Sequence, residues 1–293
     1  MKRWEWPTLG LVFVCYAVWV LGTTWAAAWF LPLGIVLTAL AVALQSSLSH
    51  EVLHGHPFRN PVLNAALVFP GLSILIPYLR FKDTHLDHHR DPNLTDPYDD
   101  PETNYLDPAV WDRLPRWVQA VLVFNNTLLG RLLAGTAVSQ VSFMLGDWRA
   151  VRRGDARVIL GWLWHIPALA LVVWWLVAVA MMPVWAYLLA AYVGLSLIKI
   201  RTFLEHQAHE QVRGRTVIIE DRGPLAFLFL NNNLHAVHHM NPGLAWYRLP
   251  GAYAADRARY LGVNHGYCYR SYAEIFRRYL WRTKDPVPHP FWR

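Results

Sequence analysis

The sequence predicts an all-α integral membrane protein: four transmembrane helices paired as two hairpins, with cytoplasmic and interfacial helices between and after them. Three observations carry that expectation. Of the 293 residues, 55% are hydrophobic and only 16% are charged, with a mean hydropathy of +0.19, which sets the chain apart from ordinary soluble domains. Two long tracts, residues 6–50 and 158–198, contain no Asp, Glu, Lys or Arg. Basic residues are missing from the middle of both tracts and frequent outside them.

The first tract is 45 residues long. As helix it would reach ~67 Å, enough to cross a hydrocarbon layer of ~30 Å twice. Its turn is expected around Phe30, where Pro32 and Gly34 interrupt the apolar run. The second tract, 41 residues, turns near Met181, Met182 and Pro183. A cleaved secretory signal does not account for the first tract, because its apolar length is too great and a second span follows at once. Lys2 and Arg3 precede the first span, residues 50–157 hold 11 basic and 12 acidic residues, and residues 207–293 hold 12 basic and 6 acidic. The positive-inside rule therefore puts both termini and both large polar regions in the cytoplasm, in an inner or plasma membrane. The basic C-terminal region could also attract anionic lipid or an acidic protein, but topological bias explains it equally well.

Two further apolar stretches, residues 61–79 and 117–145, are long enough to imitate spans. The first contains Pro61, Pro70, Gly71 and Pro77, and the second Asn125, Asn126, Arg131 and Gln140, so both are expected as interfacial or re-entrant helices. The Asp- and Pro-rich run from Asp91 to Asp112 reads as a polar loop. Cys15 and Cys268 have no paired spacing, which excludes a disulfide scaffold or thiolate metal site. No repeat divides the chain, so residues 1–293 are expected to form one membrane domain, and no nucleic-acid partner is expected.

Fourteen histidines are the compositional oddity. His50 and His54 stand four apart in HEVLH. His85, His88 and His89 form HLDHH; His235, His238 and His239 form HAVHH; EHQAH supplies His206 and His209. Separations of three and four gather rings on one helix face. Neutral imidazole ligates iron, zinc or copper, and one ion takes four to six ligands, so this many rings at one membrane surface imply two ions. His56, His165, His265 and His289 lack such company and default to packing or surface roles, with His165, inside a span, the better candidate for a site contact.

With its HxxxH, HxxHH and HxxHH boxes, two span pairs and the Asn231-Asn232-Asn233 run before the last box, most of the chain resembles the membrane fatty acid desaturase and hydroxylase superfamily. The resemblance implies two non-haem irons that activate dioxygen to remove hydrogen from an unactivated chain. It also implies ligation by His50, His54, His85, His88, His89, His235, His238 and His239. A further ligand near the end of the last span falls to His206, with His209 second. Glu51, Asp87, Glu205 and Asn231 are candidates to orient ligand imidazoles from behind, with ordinary interface roles the alternative. The implied reaction is desaturation of a fatty acyl chain drawn from the membrane. Its electrons would come from a separate carrier of ferredoxin, rubredoxin or cytochrome type, since the chain holds neither an HPGG haem motif nor a CxxC module.

Carotenoid ketolases and other lipid hydroxylases share this scaffold and are the alternative outcome. HEVLH also fits the HExxH signature of zinc proteases, with Glu51 as general base, but that reading leaves HLDHH and HAVHH unused. A metal transporter would place its ligands at mid-span rather than at span ends.

Overall fold

The computed structural model describes residues 5–292, so Lys2 and Arg3 of the topology argument lie outside the described residues. The fold is all-α apart from, among the described residues, a two-residue parallel match of Ile218–Ile219 with Cys268–Tyr269 and isolated bridges. The chain divides into two compact units that interleave in sequence. One takes residues up to Lys82 together with Ser139–Ile198; the other takes Asp83–Val138 together with 199–292.

In the first unit, α1 (Trp6–Trp29) passes through a π-helical turn at Gly22–Ala26 and stops at Phe30, whose extended backbone (φ −153°, ψ 96°) lets α2 (Leu31–Leu53) return. The turn is where the sequence puts it, and Pro32 in the first turn of α2 loses no hydrogen bond there. The Cys15 thiol donates to the Ala41 carbonyl across this pair. α3 (Pro61–Leu67) is only 7 residues long, capped by the Asn60 carboxamide, so residues 61–79 do not form a span. After it the chain runs irregularly among apolar helices, where unpaired carbonyls are costly. Side chains from neighbouring helices supply the partners: Gln45 donates to Pro70 and accepts from the Leu72 N–H, and Tyr187 donates to Leu72. His165 lies 3.0 Å from the Ile74 carbonyl, and Gln140 donates to Leu75. His165 thus serves the backbone of this segment.

α4 (Tyr78–Arg90) follows, then α5 (Arg116–Asn125), α6 (Leu128–Arg152), α7 (Ala156–Ala178) and α8 (Val184–Thr202). The break between α7 and α8 contains Met181–Pro183, as expected from the sequence. In the first unit the Arg80 guanidinium forks onto Asp147 at 3.0 and 2.9 Å, while the Trp162 indole N–H donates to the same carboxylate at 2.8 Å. This ties α4, α6 and α7 together.

Among the described residues, five helices are long and apolar enough to cross a membrane: α1, α2, α6, α7 and α8. The sequence reading anticipated four. The difference is α6, which begins only after the Asn126–Thr127 break and then runs for 25 residues without interruption. Length and hydropathy give the chain its integral membrane character.

α8 packs on α2 at Gly194, where a Cβ would stand 2.6 Å from the Ala39 carbonyl oxygen and 2.7 Å from Val42 Cβ. Because the obstacle is partly backbone, Gly194→Val must push the helices apart. It is expected to cost about 1–3 kcal/mol, read as a lowered unfolding midpoint of the detergent-solubilised protein.

Candidate metal centre

The second unit assembles its site from three pieces of chain. α4 contributes HLDHH. α9 (His235–Met240) buries Ala236 and Val237 on a cluster with Ile218, Leu234, Leu249, Tyr253 and Tyr260, which turns His235, His238 and His239 to other faces. The third piece is extended rather than helical. His206 bridges Thr216, Val217 N–H donates to the Glu205 carbonyl, and the buried Lys284 ammonium donates to the His206 carbonyl at 2.7 Å.

His88, His206, His235 and His239 form one group, with ligand atoms within 4.8 Å of one another. Successive Nε2 atoms are 3.0 Å apart for His88 and His206, 3.2 Å for His206 and His235, and 3.1 Å for His235 and His239. Ligands at right angles about one ion, each bonded at ~2.1 Å, stand ~3.0 Å apart, so the spacing fits a shared metal. The far nitrogens fit as well. His88 Nδ1 lies 2.7 Å from Asp100 Oδ1, an anion that can only accept, so Nδ1 carries the proton and Nε2 offers a lone pair. His235 Nδ1 lies 3.2 Å from Asn232 Oδ1, with the same result. Several lone pairs aimed at one point repel unless a cation lies between them.

His85, His89 and His238 form the unit's second set. His89 and His238 face each other with Nε2 atoms 3.1 Å apart, His85 and His89 have ring centroids 4.6 Å apart, and His85 Nδ1 lies 2.9 Å from Glu102 Oε1. In the first unit, His50 and His54 stand on successive turns at the end of α2 with ring centroids 4.9 Å apart.

The electrostatics favour neutral rings at His89, His206, His235 and His239. Burial first, then the charge each neighbouring ring would carry, holds His206, His235 and His239 well below the ordinary imidazole value. His89 is pushed down to about 3 by burial and by His85 and His88. His88 goes the other way, to about 9: burial opposes its charge, but Glu102 and Asp100 outweigh it. Glu102 lies below the usual carboxylate range because His85 and His88 overcome the cost of burying it. Burial raises Glu205, against the pull of the Arg201 guanidinium 2.8 Å away.

Several sequence expectations change. His209 lies outside the histidine groups: its Nδ1 accepts from the Gln211 N–H and its ring packs 5.2 Å from His265, leaving His206 as the residue in the cluster. Asp87 lies on the opposite side of α4 from its histidines, exposed, 3.3 Å from Arg90. Asn231 donates to the Trp246 carbonyl instead, and its neighbour Asn232 meets both His235 and Glu205. Glu205 does stand behind His235, 3.7 Å from Nδ1. Glu51 is buried in the first unit, 4.0 Å from His56 Nε2, and His56 is paired in turn with Glu5 at 2.7 Å. The carboxylates of Asp100 and Glu102 were missed. They lie in the loop read only as polar, and the available signal was an acidic run, DPYDDPE, close behind HLDHH.

The fatty acid desaturase family model matches residues 23–271. The chain belongs to that family. Its activity is that of a di-iron, desaturase-type oxidoreductase, and the histidine clusters have the pattern such a site needs. Comparison with curated proteins gives no match. Within this desaturase the anchors behind the ligands have a measurable role: Asp100→Asn and Asn232→Ala are expected to weaken metal retention about 10–100-fold in a chelator titration, and Asp87→Asn to leave it unchanged.

Proposed function

We propose that the two histidine sets hold one iron each and that the enzyme uses dioxygen and external electrons to desaturate a fatty acyl chain in the membrane. The observation that carries this is the convergence of four imidazole Nε2 atoms at 3.0–3.2 Å spacing, with the outer nitrogens of His88 and His235 anchored. His88, His206, His235 and His239 would hold one ion; His85, His89 and His238 would hold the other. Such a centre supplies the oxidising power that removal of an unactivated hydrogen requires.

The chain's own residues do the rest. Asp100, Glu102 and Asn232 orient the rings of His88, His85 and His235 with Nε2 turned toward the centre. Glu205, held between Arg201 and Asn232, keeps a carboxylate close to His235 that can offset positive charge at the centre.

The proposed topology follows from parity. His88 and His206 lie 3.0 Å apart, so an even number of crossings separates them. Three membrane-length helices, α6, α7 and α8, stand between them in sequence. We assign the crossings to α7 and α8, paired like α1 and α2, and lay α6 along the interface, because it carries Arg131, Gln140 and Asp147. Both termini and the metal centre are then cytoplasmic. A reporter fused at Asp99 is expected on the cytoplasmic side and one at Met182 on the far side; signals from both on the same side would end the four-span assignment.

The electron donor is proposed to be a separate ferredoxin, rubredoxin or cytochrome. Anaerobically purified enzyme is expected to contain two irons per chain, and His238→Ala about one, with loss of a product lacking two hydrogens in the lipid profile of expressing cells. A product that gains oxygen identifies a hydroxylase, and an oxidised carotenoid identifies a ketolase. Glu51→Gln is expected to retain part of the activity, whereas in a zinc protease losing that base costs at least about a hundredfold.

A further inference from the structure

We propose that electrons from a reduced one-electron carrier enter at a surface cleft beside Phe291 and Trp292 and reach the histidine cluster through His289, Thr95 and Asp100. The inference rests on the di-iron reading and deepens it by naming where its external electrons arrive. All of the residues belong to the second unit.

The cleft, about 380 Å³, is lined by Asp96, Arg215, His289, Phe291 and Trp292. Its rim carries exposed aromatics: Phe291 is 46% exposed, and Tyr98, 64% exposed, packs 5.6 Å from the Trp292 ring. At its wall, His289 Nδ1 accepts from the Phe291 N–H, so in the neutral ring Nε2 carries the proton and donates to Thr95 Oγ1 at 3.2 Å. The Thr95 N–H donates to Asp100 Oδ2 at 2.8 Å, and Asp100 Oδ1 lies 2.7 Å from Nδ1 of His88. A second branch leaves the same histidine: its ring packs 5.1 Å from Tyr105, whose hydroxyl accepts from the Ala208 N–H, two residues beyond His206. The first branch ends at the His88 ring, and the second at the backbone of the segment that carries His206.

The chemistry of the links selects electrons over protons. A proton wire needs every link to be a group that can release one proton and take up another. Here the middle link runs from the Thr95 hydroxyl through Cβ and Cα to a backbone N–H, which does not relay protons. Covalent bonds and short hydrogen bonds do couple electronically far better than empty space, so the same sequence of links is a tunnelling path.

Thr95 is also held where its residue type is unfavourable. Its φ of +74° is a genuine outlier for a β-branched side chain. Such strain persists only when the surroundings over-determine it. Those surroundings are the Asp100 carboxylate, the His289 ring and the Thr103 hydroxyl that donates to the Thr95 carbonyl at 3.0 Å.

The electron count closes. Two reduced carriers lose one electron each, and the substrate loses two electrons and two protons as a carbon–carbon double bond replaces two C–H bonds. Dioxygen takes up these four electrons, the two substrate protons and two protons from water, and leaves as two water molecules.

The test is flash photoreduction of the ferric enzyme by a ruthenium tris-bipyridyl group. The label is attached to the cysteine of Trp292→Cys in a Cys268→Ser background, or to that of Arg259→Cys as a comparison. Thr95→Val keeps the branched shape but removes the hydroxyl. It is expected to slow reduction from position 292 severalfold while leaving reduction from position 259 and the iron content unchanged, and Thr95→Ser is expected to restore the rate. An unchanged rate from position 292, or equal slowing from both labels, overturns the path. Absence of iron from the parent protein would instead defeat the di-iron reading beneath it.

Discussion

Everything in the site depends on keeping imidazole lone pairs pointed at one another. Four Nε2 atoms at 3.0–3.2 Å spacing are mutually repulsive as neutral rings and more so as charged ones. The protein holds them by fixing the opposite edge of the rings: Asp100 behind His88, Asn232 behind His235, Lys284 on the backbone of His206. Each anchor is itself anchored. The Asp100 carboxylate accepts from the backbone N–H groups of Thr95 and Glu102, and Asn232 donates to Glu205, which is paired with Arg201. Strain at the centre is thus spread over a connected polar network.

The membrane imposes a second constraint. Apolar helices alone cannot accommodate an irregular segment, yet residues 68–77 run irregularly among them. Gln45, Gln140, His165 and Tyr187 all aim polar atoms at that segment's backbone. Polar residues in apolar helices are here the means by which non-helical chain is tolerated.

How much could be read beforehand follows from which interactions are local. The histidine boxes were legible because rings three and four apart must share a helix face, and the hairpin turns were legible because Phe30 and Pro183 sit where apolar runs break. The choice of His206 over His209 rested on resemblance and agrees with the geometry, but nothing in EHQAH states that this piece is extended, with His209 turned toward Gln211. Asp100 and Glu102 were illegible for a different reason: they act 12 and 17 residues away from their histidines, through a loop with no periodicity. Asn231 and Asn232 are adjacent and identical in type, and only the backbone turn, with Asn231 at a φ of +56°, decides which one faces His235. The unbroken length of α6 was not legible, because polar residues spaced along an apolar stretch leave its extent open, while helix formation needs only one sustained apolar face.

Lys284 donates to the carbonyl of His206, and the same stretch of chain pairs with Leu129 through Leu280 and with Leu106 through Val287. These stitches bind the segments that carry the ligands and their anchors. They are supplied by residues made well after the last membrane-length helix. During synthesis, then, the spans can be inserted and the histidine boxes exposed at the membrane surface while the clasp that closes them is still inside the ribosome. Metal capture then waits for that clasp. A nascent chain stalled before residue 280 would be a membrane protein in every respect except the possession of a closed centre.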